Sequence, residues 1–511
     1  MKLRLVSTFY LVIGFAAFSR GSVANGEIRL PNLLTDHAVL QRGGPIHVWG
    51  WSTPGANLTI RFHEQTVKAD ADPLGEWSAW LAPEKAGGPY TLTIDGGSKE
   101  GKKDVVDLLV GDVWVASGQS NMEMPLRGFP PTAFVKDADQ EIAAANHPEI
   151  RLLLVGHKSS DFPLQDISGA WAKCTPDTAR EFSAIGYLFG REIAAREKVP
   201  VGLIDASWGG TPVDPWISLD TLGTNPALLS AFTNRAQFAD KQGDLDAQIT
   251  AEKAADAEAQ RAEKPLPSHP WHPYEASWLP AGLYNGMIAP LSLASIKGFI
   301  WYQGETDSSP ARAPHYSTLF PALIEDWRAH FKQGDLPFLF VQISSFHSPG
   351  EFWGTIRDAQ RRTLFVAHTA MAVSLDVGNP NNVHPADKQT VAARLALAAR
   401  GLVYCEDVEY SSPLFREATA QPGAIRVWFD HANGLISHGS AVTGFEVAGD
   451  DHQFVPATAT IKDDTVIVTA PQVSKPVYVR YDWGNVVSSS VYNSAGLPAS
   501  TFTSEETPSL H

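Results

Sequence analysis

Ser120, Gln303 and His384 lie far apart in the chain, yet each follows an apolar run. Ser120 comes after Asp112-Val113-Trp114-Val115-Ala116, across the small-residue turn Ser117-Gly118-Gln119. Gln303 directly follows Ile296–Tyr302. His384 sits in the loop after Ala370–Leu375, just ahead of a helical stretch. Short apolar runs read as buried strands, and an open α/β sheet places its sites at the carboxyl ends of its strands. A hydroxyl, an imidazole and an amide gathered there supply a nucleophile, a base and a donor to a tetrahedral oxyanion, the parts of acyl transfer. Gly209 and Gly210, in Ser207-Trp208-Gly209-Gly210-Thr211, add backbone donors because glycine lets the main chain approach a substrate. The Ser120 N–H adds another. Losing one such donor typically costs about 3 kcal/mol of barrier height, so Gln303 ranks close to the nucleophile and the base.

Around these three stand candidate substrate contacts: Gln119, Asn121, Glu123 and Arg127 beside the serine, and Glu305 beside Gln303. Asp214 and Trp216 follow the glycine loop and are candidates for a pocket wall. His269, His272 and His347 are rival bases, but each lies in a Pro- or Ser-rich loop and reads as a surface histidine. The pattern is not the Gly-x-Ser-x-Gly elbow, because Met122 stands where that motif needs glycine. His63-Glu64 starts a zincin-like string, but Val67 occupies the second histidine's place and no metal site follows.

The elements that must position these residues divide into three blocks. Residues 25–106 read as an all-β module of short strands such as Ile46–Trp49, Leu58–Arg61 and Tyr90–Ile94, punctuated at Pro54-Gly55 and Gly87-Gly88-Pro89. Residues 107–406 alternate helix and strand, which implies a three-layer α/β/α sandwich with a mainly parallel sheet. Strands are expected at Ile150–Val155, Val199–Ala206, Ile296–Tyr302, Phe338–Ile343 and Ala370–Leu375. Helices are expected at Ser183–Lys198, Tyr316–Phe331, Thr355–Ala367 and Ala386–Leu402. A polar, Ala- and Glu-rich stretch at about 235–265 reads as an exposed helical insertion. Residues 407–511 return to alternating strands and form a second β-sandwich-like module.

Composition narrows the function classes. The chain has 511 residues, 44% of them hydrophobic, and a net charge of -16, which argues against nucleic acid or an anionic membrane as partner. Lys2 and Arg4, the apolar Phe9–Phe18 and the small-x-small site Ser22-Val23-Ala24 read as an export signal, residues 1–24. No other run is long enough to span a membrane. Two cysteines, Cys174 and Cys405, cannot build a zinc cage; they form either one disulfide or two separate thiols. The oligomeric state is left open.

The chain also resembles the sialate O-acetylesterase family, a branch of the SGNH (GDSL-like) hydrolases. The strings that carry the resemblance are His37–Arg42, Val48–Trp51, Gly111–Trp114, Ser117–Met124 with its Gly-Gln-Ser-Asn-Met core, Trp208–Pro212, Tyr284–Leu291, Trp301–Glu305, His384-Pro385 and Tyr492–Ala499. The resemblance implies a flavodoxin-like SGNH catalytic domain flanked by β modules. It implies removal of acetyl groups from sugar hydroxyls without a metal or organic cofactor. It also implies Ser120 as nucleophile and His384 as base, with the glycine loop and Gln303 as oxyanion hole. In one place the chain departs from the pattern. Many SGNH hydrolases carry an aspartate three residues before the histidine, and here that residue is Asn381. Asp376 or Asp387 is then the candidate orienting acid, or the site is a Ser-His dyad with a backbone carbonyl fixing the tautomer.

The expectation is an exported carbohydrate O-acetylesterase, periplasmic or secreted, acting on acetylated xylan or xyloglucan oligosaccharide or on O-acetylated sialic acid. Plant-type glycans are slightly favoured: an anionic sialate calls for an arginine clamp, and only Arg127 and Arg361 offer one. The alternative is a non-catalytic carbohydrate-binding protein on a hydrolase scaffold. A lipase would need an apolar lid, and the 240–264 stretch is too polar for that.

Overall fold

The structure, a computed structural model, describes residues 27–506, apart from 240–241, 263, 266, 268–271, 273–274, 440 and 488. The expected export segment 1–24 and His269 therefore lie outside the described residues.

Six strands come first: β1 (Val39–Gln41), β2 (Ile46–Trp51), β3 (Asn57–Phe62), β4 (Gln65–Asp70), β5 (Glu76–Leu81) and β6 (Gly87–Asp95). β2 pairs with β5, and β3 pairs with both β4 and β6. Alternation drives these pairings, since Leu58, Ile60 and Phe62 of β3 point inward while their neighbours do not. The long β7 (Lys102–Gly118) then serves two sheets. Its first half pairs antiparallel with β6, and its second half is the centre of the catalytic sheet. The expected boundary at 106/107 falls inside this strand. A register shift between Leu92↔Val105 and Tyr90↔Leu108, with Asp107 at φ 56, marks the place. An extra residue there re-aims the strand without breaking it.

The catalytic sheet adds β8 (His147–Leu154), β9 (Trp171–Cys174), β10 (Val201–Ser207), β11 (Gly298–Tyr302), β12 (Phe338–Gln342) and β13 (Thr369–Val373), in the order β13-β12-β11-β7-β10-β8-β9. All neighbours are parallel except β9, which returns antiparallel on β8. Helices α1 (Ala184–Glu197) and α4 (Lys388–Leu402) pack together, as do α2 (Ala313–Phe331) and α3 (Trp353–Arg362), giving the layers that cover a parallel sheet. The chain runs from β7 outward to β8 and back to β10 on one side, then crosses to β11 on the other. The carboxyl end of β7 is thus the switch point, where the loops after β10 and β11 diverge and leave a crevice.

The polar insertion forms a helix over Gln242–Arg261. Beyond residue 407, two antiparallel four-stranded sheets enclose a separate apolar core containing Val427, Phe445, Val466, Tyr481 and Phe502. The N-terminal strands, by contrast, share one continuous core with the catalytic sheet. Arg42, just after β1, grips the buried Asp112 of β7 with two 2.8 Å bonds. Cys174 is buried and Cys405 exposed, and both are free thiols, so the disulfide alternative is not realised. Among the described residues, no helix is long and apolar enough to cross a membrane.

Candidate active site

Ser120 opens a one-turn helix, Ser120–Glu123, directly beyond β7. The turn before it needs glycine. Gly118 has φ +132, and a Cβ there would lie 2.2 Å from the Tyr302 carbonyl oxygen. That close approach lets Gln119 N–H donate to Tyr302 O at 2.9 Å and Trp208 N–H donate to Gly118 O at 3.0 Å. The serine turn is so fastened to the loops on both sides. Within the short helix, Met122 N–H and Glu123 N–H donate to Gln119 O, while among the described residues nothing accepts the Ser120 N–H.

His384 Nε2 lies 2.8 Å from Ser120 Oγ. The imidazole is set by its loop: His384 N–H donates to Asn382 Oδ1 at 2.9 Å, Asn382 Nδ2 donates to Thr132 O, and Phe129 packs edge-on against the ring. Burial, reinforced by the positive charge of Lys388, pulls the His384 pKa down to about 4. Neither candidate acid reaches the ring. Asp376 is paired with Arg394 at 2.6 and 2.7 Å, and Asp387 caps α4 by accepting from Thr390 N–H and its hydroxyl. At Asp376 the Arg394 guanidinium claims both carboxylate oxygens. Among the described residues no carboxylate bonds the other ring nitrogen.

Behind the serine lies a buried relay. Asn121 Nδ2 donates to Glu305 Oε1 at 2.5 Å and to Val383 O at 3.0 Å, and Lys388 Nζ donates to Asn121 Oδ1 at 2.5 Å. Burial raises the Glu305 pKa to about 6 and lowers that of Lys388 to about 7. Asn121 and Glu305, expected as substrate contacts, instead tie the Ser120 turn to the histidine loop. Gln119 Oε1 likewise accepts from Gly304 N–H and Thr306 N–H, both at 3.3 Å.

The glycine loop lies against Ser120: a Cβ on Gly209 would be 3.2 Å from the Ser120 Cβ. Its N–H donates to Glu123 Oε2 at 2.5 Å. The other Glu123 oxygen lies 3.1 Å from Nε2 of His157, whose ring stacks on Trp208 with centroids 4.3 Å apart. Burial opposes charge on His157, but the hydrogen bond and charge of Glu123 outweigh it and raise the pKa. His157 was missed in the sequence because it stands alone after Gly156, with no motif around it. Gly210 contributes its carbonyl, which accepts from Trp278 Nε1 at 3.0 Å.

Gln303 departs from expectation. It is wholly buried, and its amide donates to Asp307 Oδ2 at 2.6 Å and Thr211 O at 3.3 Å rather than toward Ser120. Asp307, itself fixed by Val213 N–H and Arg312, is the stronger acceptor and turns the amide inward. Arg312 also pairs with Asp214, which is interior rather than pocket-lining. Arg127 donates to Glu181 at 2.7 Å and to Gly128 O, and Arg361 is paired with Asp358. His272 bonds Glu252, and His347 is exposed on its loop.

Comparison with known proteins follows this geometry. A family model described as carbohydrate esterase, sialic acid-specific acetylesterase, matches residues 271–400. Human sialate O-acetylesterase is 30% identical over 438 residues, covering 76% of this chain and 73% of that protein. The chain belongs to the sialate O-acetylesterase family. The mouse sialate O-acetylesterase is 29% identical over 502 residues and covers 89% of each chain. A crystal structure of a carbohydrate acetylesterase from Xanthomonas citri superposes with a TM-score of 0.81 at 37% identity, over 94% of this chain and 100% of that one. The protein is a carboxylic ester hydrolase with carbohydrate O-acetylesterase activity, and the esterase carries the mixed α/β fold of that neighbour with sheet modules on either side.

Proposed function

We propose that the esterase releases acetate from sugar hydroxyls through an acetyl-enzyme on Ser120, with His384 as the base and no carboxylate to complete a triad. The observation that carries this is the 2.8 Å approach of His384 Nε2 to Ser120 Oγ. His384 Nε2 takes the hydroxyl proton as Oγ attacks the acetyl carbonyl. The resulting oxyanion is held by the Ser120 N–H and by the Gly209 N–H, which leaves Glu123 to do so. Glu123 then rests on His157. Collapse expels the sugar oxygen, which takes the proton from His384, and a water repeats the cycle to free acetate and restore Ser120. A neutral imidazole within hydrogen-bond reach of the hydroxyl can take its proton without a carboxylate on the other ring nitrogen.

The substrate read from this chain is an uncharged acetylated oligosaccharide of the hemicellulose type. Both arginines that could clamp a sialate carboxylate are committed to acidic partners, Glu181 and Asp358. The first 24 residues support export, and the domain limits proposed are 25–106, 107–406 and 407–511. Acetate release by the wild type and Ser120→Ala tests the whole reading, on acetylated xylan, xyloglucan oligosaccharides and 9-O-acetylated sialic acid. Serine-dependent release from the neutral glycans alone is expected. Release from the sialic acid alone overturns the substrate assignment, and activity that survives Ser120→Ala overturns the mechanism.

A further inference from the structure

Away from Ser120, the N-terminal module and the catalytic domain enclose a cleft of about 950 Å³, a size that takes a small organic ligand or several sugar rings. Neither Ser120 nor His384 lines it. Module strands β2 and β5 build one wall, where Trp51 is part-exposed with Arg29 over its ring and Trp49 and Trp77 are buried. The loop after β8 builds the other and brings Phe162, which is 76% exposed and belongs to neither apolar core. A Gln165 Nε2 to Glu76 Oε1 bond of 2.7 Å ties the two walls together. Leu219 and Leu293, also exposed, line the same cleft, and such a grouped apolar surface is unexplained by the fold.

The polar side of the cleft decides what fits. Asp70, Asp72, Glu76, Asp161 and Asp220 line it, and no lysine or arginine does. Of its two histidines, His47 has its pKa lowered by burial, and His330 is held by Asp326. An anionic ligand is therefore repelled. Three of the carboxylates already accept from neutral donors: Asp70 from Asn57, Asp72 from the N–H groups of Leu74 and Glu76, and Glu76 from Gln165. Their remaining lone pairs can accept from the hydroxyls of an uncharged ligand, and a lysine-rich peptide tests the cationic alternative. Flat aromatic faces beside such acceptors complement a pyranose, whose ring faces are apolar and whose rim is hydroxylated.

We propose that this cleft is a second saccharide-binding site, taking an uncharged oligosaccharide. It is independent of the chemistry at Ser120. The same loop carries His157 at the catalytic end and Phe162 in the cleft. Five residues of chain span at most about 18 Å, so one glycan of several sugars is long enough to be held near the site where its acetyl group is removed.

The test uses the full chain and probes that carry no acetyl group, so failure of the catalytic reading does not affect it. Xylohexaose, cellohexaose and de-acetylated xyloglucan oligosaccharides are titrated by calorimetry, with sialyllactose and a lysine-rich peptide as the charged counterparts. At least one neutral oligosaccharide binds, Trp51→Ala and Phe162→Ala each weaken it about tenfold or more, and Ser120→Ala leaves it unchanged. Both aromatic variants hydrolyse 4-nitrophenyl acetate at the wild-type rate, which also shows that they fold. The proposal is overturned if no neutral oligosaccharide binds, if the peptide binds in its place, or if binding survives both aromatic substitutions.

Discussion

His384 and His157 flank Ser120 from different loops, and their surroundings give them opposite proton affinities. His384 is half-buried beside Lys388 with no carboxylate on its ring, and its pKa falls to about 4. His157 keeps 40% of its side chain exposed, meets Glu123 at 3.1 Å, and its pKa rises. Burial alone would have pushed both the same way. The difference is one carboxylate. It moves the second imidazole toward the protonated form beside Glu123, while the first moves toward the neutral form that the proposed base requires.

The sharpest way to break this comparison is to remove each histidine in turn. His384→Ala is expected to lower kcat on 4-nitrophenyl acetate by on the order of 10³- to 10⁴-fold, as loss of a general base does. His157→Ala should cost about 10- to 100-fold, through a misplaced Gly209 donor. Were the two losses to come in the reverse order, the assignment of base and cation would be exchanged. Glu123→Gln should resemble His157→Ala, lowering kcat with little change in KM.

The pH profile sharpens the same contrast. Activity needs His384 neutral, so kcat/KM falls as pH drops through its pKa, placing the acid limb near 4 rather than at the ordinary 6.5. Lys388→Met removes a positive neighbour, raises that pKa and moves the limb upward, though not fully to 6.5, because burial is the larger cause. A limb that stays in place after this substitution would sink the role given to Lys388. The same variant strands Glu305 in the interior and should lose about 1–3 kcal/mol of stability. The double change with Glu305→Gln should recover part of that loss in urea unfolding, since the stranded charge is gone. The smallest effect belongs to Asp376→Asn: less than about tenfold in turnover, where loss of a triad acid costs on the order of 10⁴. A loss of that larger size would return the aspartate to the triad.

A second pair of regions, the two β modules, reads alike in sequence and behaves differently in the fold. Both alternate strand and turn. The C-terminal one closes on its own core, while the N-terminal one shares the catalytic core through β7. Alternation reports which side chains face inward. It does not report which other element meets them there.

The sequence by itself determined the layers, the strand ends and the residues gathered at them. Apolar period and glycine turns are local properties, so Ser120, Gly209 and His384 were legible as residues at strand ends, and the family resemblance suggested their roles. Three-dimensional packing decided the partners. Asp376 went to Arg394, the Gln303 amide turned to Asp307, Asn121 and Glu305 became a buried relay with Lys388, and His157 arrived beside Glu123 from an unremarked loop. A hydrogen bond or a charge pair depends on distances of a few ångströms between segments remote in the chain, and those exist only once the sheet has set its strand order.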